Sequence, residues 1–148
     1  MIIISGTRQR RRNQRGSATV EITILVPALL LTLGMLIVGG RVWFARTTVN
    51  EAAHAAARAA SLARAASEAG ADGRSAGAQS LATGGLRCTS TAVEVNTAAF
   101  GVPVGNPATV TARVSCSVGF GDLILPGLPG SIDLQASAAS ALDTYRSR

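Results

Sequence analysis

Lysine is absent from this chain, aromatic residues make up only 3% of it, and it holds one His and two Cys. Each scarcity closes off a class of protein. With so few aromatics, a core must be assembled from Ala, Val, Leu and Ile, so it will be thin even though 47% of the residues are hydrophobic. One His and two Cys leave few candidate ligands for a metal centre. All 14 basic residues are Arg, and a net charge of +6 at first points to nucleic acid or an acidic surface. Their placement argues otherwise. Arg8, Arg10, Arg11, Arg12 and Arg15 sit in residues 1–16 with no acid among them, so that stretch carries +5 and residues 17–148 carry only +1. The basic character belongs to a short N-terminal segment. No nucleic-acid partner is expected, and a soluble metabolic enzyme is disfavoured. A length of 148 residues makes one domain the default.

Four regions follow along the chain. Residues 1–16 form a basic leader, in which Met1-Ile2-Ile3-Ile4 is too short to span or pack. Ser17 to Gly40 is a run of 24 residues with a single charge, Glu21. As a helix it would extend ~36 Å, enough to cross a ~30 Å hydrocarbon layer. Arg41 ends the run, and Trp43 sits just beyond it, where an indole suits the headgroup region. Five Arg before the span against Arg41 and Arg46 after it place the N-terminus in the cytoplasm and the remainder outside.

Residues 41–83 are rich in Ala, the best helix former. Val42, Ala45, Val49, Ala52, Ala53, Ala56, Ala60 and Ala63 recur at helical spacing, while Arg46, Asn50, His54, Arg58 and Ser61 follow another face. This pattern predicts a helix from Arg41 to about Gly70, ending near Ala71, Asp72, Gly73 and Gly77, with a weak second helix around 75–82. Joined to the span, it would make one helix of about 50 residues, or ~75 Å.

From Gly84 the pattern changes to strands. Thr91, Val93 and Val95 alternate with Ala92, Glu94 and Asn96 in 87–96, and Val110, Ala112, Val114, Cys116 and Val118 alternate more clearly with Thr109, Thr111, Arg113, Ser115 and Ser117 in 108–118. Ile132, Leu134, Ala136 and Ala138 share a face of a third run, 132–142. Loops rich in Gly and Pro separate these runs. The expected fold is α+β: a long N-terminal helix, transmembrane then extracytoplasmic, packed on a small antiparallel sheet of three or four strands. Cys88 begins the first strand and Cys116 lies near the end of the second, which makes them neighbours in an antiparallel hairpin. A disulfide would close a loop with 27 residues between its ends and contribute roughly 3–4 kcal/mol on the chain-entropy model. An outside location permits oxidation. The alternative is two buried free thiols.

Glu21 is costly in an apolar run, since a carboxylate at the bilayer centre is unfavourable by ~2.5–3.5 kcal/mol on insertion scales. It can simply lie at headgroup depth. A different use emerges if the chain is cut after Gly16. Glu21 then becomes residue five, and the new Ser17 amine stands one helical turn away, able to neutralise it within a subunit or between neighbours. Pro27 removes one helical hydrogen bond and kinks or loosens the segment. That is common in membrane helices, or it is a local weakness that lets the span leave the bilayer for a fibre.

These residues carry a resemblance. Arg-Gly-Ser-Ala-Thr-Val-Glu at 15–21, the apolar run with Pro27 and the polar Ala-rich helix after Arg41 resemble the TadE-like family of Tad (Flp, type IVc) pilus systems. The Leu-Pro-Gly-Leu-Pro-Gly loop at 125–130, the final strand and the Arg-rich end are also similar, so the likeness covers most of 15–148. It implies a pilin-like fold and cleavage after Gly16 by a membrane-embedded aspartic prepilin peptidase. It also implies a registration role for Glu21, paired with the Ser17 amine of a neighbour. Ser17 stands where other type IV pilins commonly have Phe, and the soluble region is far larger than that of the major Flp pilin. The resemblance therefore implies a minor pilin or pseudopilin, whose partners are the peptidase, other pilins, Tad inner-membrane assembly proteins and membrane lipid.

No enzyme site, metal site or cofactor is expected. His54 has only Glu51 in reach, and Asp72, Glu94, Asp122, Asp133 and Asp143 are scattered. Ser115-Cys116-Ser117 lacks a base partner, and Thr83-Gly84-Gly85 lacks the Lys of a phosphate loop. Two other readings compete with the pilus component. One is an unprocessed single-pass protein of receptor or adhesin type, in which Gly16 stays uncut and Glu21 is incidental. The other is a secreted protein or small hydrolase, which needs a signal-peptide cleavage site after the run, where only weak candidates around Val38–Gly40 exist.

Overall fold

The computed structural model describes residues 15–123, 127 and 129–144, and for 15–20 the helical backbone only. The order of elements is helix α1 (Arg15–Leu62), helix α2 (Ala66–Thr83), strand β1 (Cys88–Asn96), a 3-10 turn (Ala98–Gly101), strand β2 (Ala108–Gly119), the one-turn helix α3 (Phe120–Leu123) and strand β3 (Ser131–Leu142). The chain divides into two compact units, one up to Ile37 and one from Val38 onward.

The first unit holds the early part of α1. Every described side chain from Glu21 to Ile37 is exposed, including Leu31 at 76% and Met35 at 80%. The helix continues through Pro27, which supplies no N–H to the ladder.

The second unit is an α+β layer pair. Its sheet has the order β1-β2-β3, antiparallel throughout, so among the described residues the sheet has three strands, the smaller of the two numbers the sequence pattern predicts. β2 and β3 pair without interruption from Ala108 opposite Leu142 to Gly119 opposite Ser131. The period-two pattern sorts as expected. Val110, Ala112, Val114, Cys116 and Val118 of β2 are buried, with Leu134, Ala138 and Leu142 of β3. Against that face lie Ala45, Val49, Ala52, Ala53, Ala56 and Ala57 of α1, all at most 1% exposed. Arg46, Asn50, His54 and Arg58 point to solvent.

The helical region departs from expectation in one respect. α1 stops at Leu62, and α2 then runs straight through Asp72, Gly73 and Gly77, residues whose composition signals an ending. The cause is tertiary. A Cβ on Gly73 would stand 2.8 Å from Val95 Cγ2 and 3.0 Å from the Ala56 carbonyl oxygen. One on Gly77 would stand 3.1 Å from Val93 Cγ1 and 3.3 Å from Ala56 Cβ. Both glycines therefore face the crevice between α1 and β1, where only a missing side chain lets three backbones approach. The helix accepts the ~1 kcal/mol propensity penalty of each Gly for that closeness. The break at 63–65 folds α2 back so that Ala69 joins Ala60, Val110 and Leu142 in a second small cluster. At its other end α2 reaches α1 again, where Gly84 abuts the methyl of the buried Thr48.

Candidate functional site

The described features expected to carry function are distributed over the two units. Gly16 and Ser17 lie in α1, and Glu21 follows Ser17 by one turn of the same helix. Glu21 is exposed and is the one acid before Glu51. The leader residues 1–14, with Arg8, Arg10, Arg11 and Arg12, lie outside the described residues. So do Ile124, Leu125, Pro126 and Leu128 of the Leu-Pro-Gly loop and the Arg-rich end, 145–148.

Cys88 and Cys116 form a disulfide with a Cα–Cα distance of 5.4 Å. Its formation depends on a detail that alternation alone does not reveal. From Ser90 to Asn96 the β1–β2 register is regular, pairing Ser90 with Ser117 and Thr91 with Cys116. Continued one pair at a time, that register would set Cys88 opposite Gly119 and turn it to the outer face. Instead the register shifts between Cys88 and Ser90, and Cys88 pairs with Val118. The extra residue, Thr89, is a bulge whose hydroxyl donates to the Ser117 carbonyl at 2.9 Å. The shift of one residue flips Cys88 to the core face, diagonal to the buried Cys116.

On the outer face, Ser90 Oγ donates to Ser117 Oγ at 2.9 Å, and Ser117 Oγ donates to Asp133 Oδ1. These bonds tie all three strands at the end that holds the disulfide. Ser115-Cys116-Ser117 is thereby a structural stretch of β2. His54 is exposed on α1. Among the described residues no group of three or more His, Cys, Asp or Glu side chains is placed to hold a metal ion.

Residues that the sequence reading passed over are Thr48, the bulge at Thr89, and the contact of Arg41 with α3. Arg41 Nη1 donates to the Asp122 carbonyl at 3.4 Å. None of them has a local signal. A buried Thr in an Ala-rich helix, an extra residue in a Thr/Ser-rich strand and an Arg after an apolar run all read as ordinary surface.

The class is now defined: an α+β protein with one long N-terminal helix that is apolar and exposed at first, then packed on a three-stranded antiparallel sheet. That apolar helix has the length and composition to cross a membrane. The model of the TadE-like protein family matches residues 16–58, the family that the motif at 15–21 resembles. The match opens at Gly16 and closes within the buried stripe of α1, and the family suggests a component related to Tad pili. No curated protein matches the chain, and no solved structure does.

Proposed function

We propose that the chain is a minor pilin or pseudopilin, a structural component of a Tad/Flp (type IVc) pilus assembly or secretion machine. In this reading the prepilin peptidase cuts after Gly16, and the mature chain begins at Ser17. The observation that carries the reading is the family match itself, which opens at Gly16 and takes in Glu21 and the exposed apolar side chains that follow it on α1. Helical geometry supports the role of Glu21. After cleavage its carboxylate lies one turn from the free amine, and pairing, within a chain or with a neighbour, lowers the cost of both charges in an apolar surrounding. Other pilins and Tad inner-membrane assembly proteins are the partners of this reading, with the soluble unit outside the cytoplasmic membrane.

Intact mass of a C-terminally tagged chain from native membranes, with and without the prepilin peptidase, tests it. The expected result is a mature chain starting at Ser17 only where the peptidase is present, with the full-length form retained in Gly16→Leu. A chain that keeps 1–16 in both strains would overturn processing and leave an unprocessed membrane-anchored protein.

A further inference from the structure

We propose that the α3 end of the second unit is seated on phospholipid headgroups through an apolar collar, Trp43 and Phe44, on α1. The inference rests on reading the apolar run as a membrane span and adds what the folded unit itself does there. In a chain with only 3% aromatics, two adjacent ones are left open: Trp43 is 75% and Phe44 59% exposed. Successive helix residues point ~100° apart, so four of them cover the circumference. Val42, half-buried, and Ala45, buried, take the side facing the sheet. Trp43 and Phe44 take the sides that nothing in the unit covers.

The position of this collar selects its occupant. It begins three residues after Gly40, about 4.5 Å beyond the apolar run, the depth at which indole and phenyl rings meet headgroups. Cations flank it. Arg46 is exposed and lies three residues after Trp43, on the same side of the helix and within reach of lipid phosphates. Arg41 precedes it and donates from Nη1 to the Asp122 carbonyl at 3.4 Å, which brings α3 within reach of the Arg41 side chain. The 3-10 turn Ala98–Gly101 follows the far end of β1, where Asn96 faces Thr111, whereas α3 continues from the near end of β2. Eight residue steps of β2, from Thr111 to Gly119, separate the two ends, or roughly 27 Å at ~3.4 Å per residue. The unit therefore has a lipid end and a water end.

Trp43 is the chain's single Trp, so its fluorescence reports the collar without substitution. The full chain is placed in vesicles of phosphatidylcholine and phosphatidylglycerol and floated. It is then exposed in turn to aqueous iodide, a headgroup nitroxide and lipids brominated at the bilayer centre. The expected result is strongest quenching by the headgroup nitroxide. Dominant quenching by iodide means a unit held off the membrane. Dominant quenching at the bilayer centre means a collar inside the span. Protection from all three means cover by another chain. Each of these overturns the proposal. A chain that does not float overturns the span reading and this inference together, whereas a floating chain with Trp43 open to iodide overturns only the inference. Fluorophores on Asp122→Cys and Ala98→Cys, both exposed positions, check the polarity, since the native cysteines are paired. The headgroup nitroxide should quench the label at 122 and not that at 98. Equal quenching, or quenching at 98 alone, would defeat the seating.

Discussion

From Ile22 to Ile37 α1 carries large aliphatic side chains and leaves them all exposed, whereas from Ala45 to Ala60 its apolar face is built chiefly of Ala, most of it buried. Both stretches carry an apolar face, both belong to one helix, and helix propensity does not distinguish their uses. Side-chain size does. A large branched residue suits a surrounding that can flow around it, as hydrocarbon does. A methyl group suits a sheet whose distance is already set by its own backbone. The comparison teaches that the meaning of an apolar stripe lies in its volume as much as in its period, because a close-packed interior tolerates little change in volume.

The comparison can be broken most forcefully at the sheet. Cys88→Ser should cost the second unit about 3–4 kcal/mol and lower its thermal midpoint, followed by circular dichroism of the full chain in detergent. Reduction of the unsubstituted chain should do the same, and an unchanged midpoint would mean that the disulfide adds nothing. Deleting Thr89 sharpens the point. With the bulge gone, Cys88 turns to the outer face, and a thiol titration of the unfolded, unreduced chain should find two free groups instead of none. Next in size is Gly73→Ala. The new methyl meets Val95 and the Ala56 carbonyl, and overpacking of this kind costs about 1–3 kcal/mol. The gain in helix propensity offsets only part of it, so a midpoint that rose would show that α2 can shift freely. A smaller effect is expected at the far end of α1, where Ser61 Oγ and Ser140 Oγ lie 2.9 Å apart. Ser61→Ala should cost about 1 kcal/mol, and Ser140→Ala added to it should cost little more. Additive losses in that pair of variants would mean that no bond joins them. The least effect on stability is expected from Glu21→Ala, since Glu21 is exposed. Its midpoint should not move and membrane retention should persist, while pilus assembly falls. Normal piliation would remove the registration role.

The sequence announces those parts of the fold that depend on period. The alternation of Val110, Ala112, Val114, Cys116 and Val118 is legible because β2 is the central strand, with one face in the core and the other in water. The Ala stripe of α1 is legible for the same reason. The pairing of the cysteines can be argued from strand order, but its geometry cannot, because a bulge has no composition of its own in a Thr- and Ser-rich strand. α2 is misjudged at its glycines. Gly73 and Gly77 are read locally as a helix ending, yet their cause lies in residues 93–95 and 56–60, far along the chain. Of the candidate site, Gly16, Glu21 and the exposed run are visible at once, since each is an exception to its surroundings. The bond between Arg41 and Asp122 joins residues 81 positions apart and leaves no trace in either neighbourhood.

The Ala stripe also bears on the order of synthesis. α1 emerges first, but the strands it will cover are completed only at Leu142, 82 residues after Ala60. At translation rates of ~5–20 residues per second, that interval is about 4–16 s. Throughout it the buried face of α1 stands open to whatever is nearby. A stripe of methyl groups offers passing chains little surface to grip, where a stripe of Leu or Phe would offer a great deal. The thinness of this core thus also limits the apolar surface that α1 exposes while its last strand is still to come.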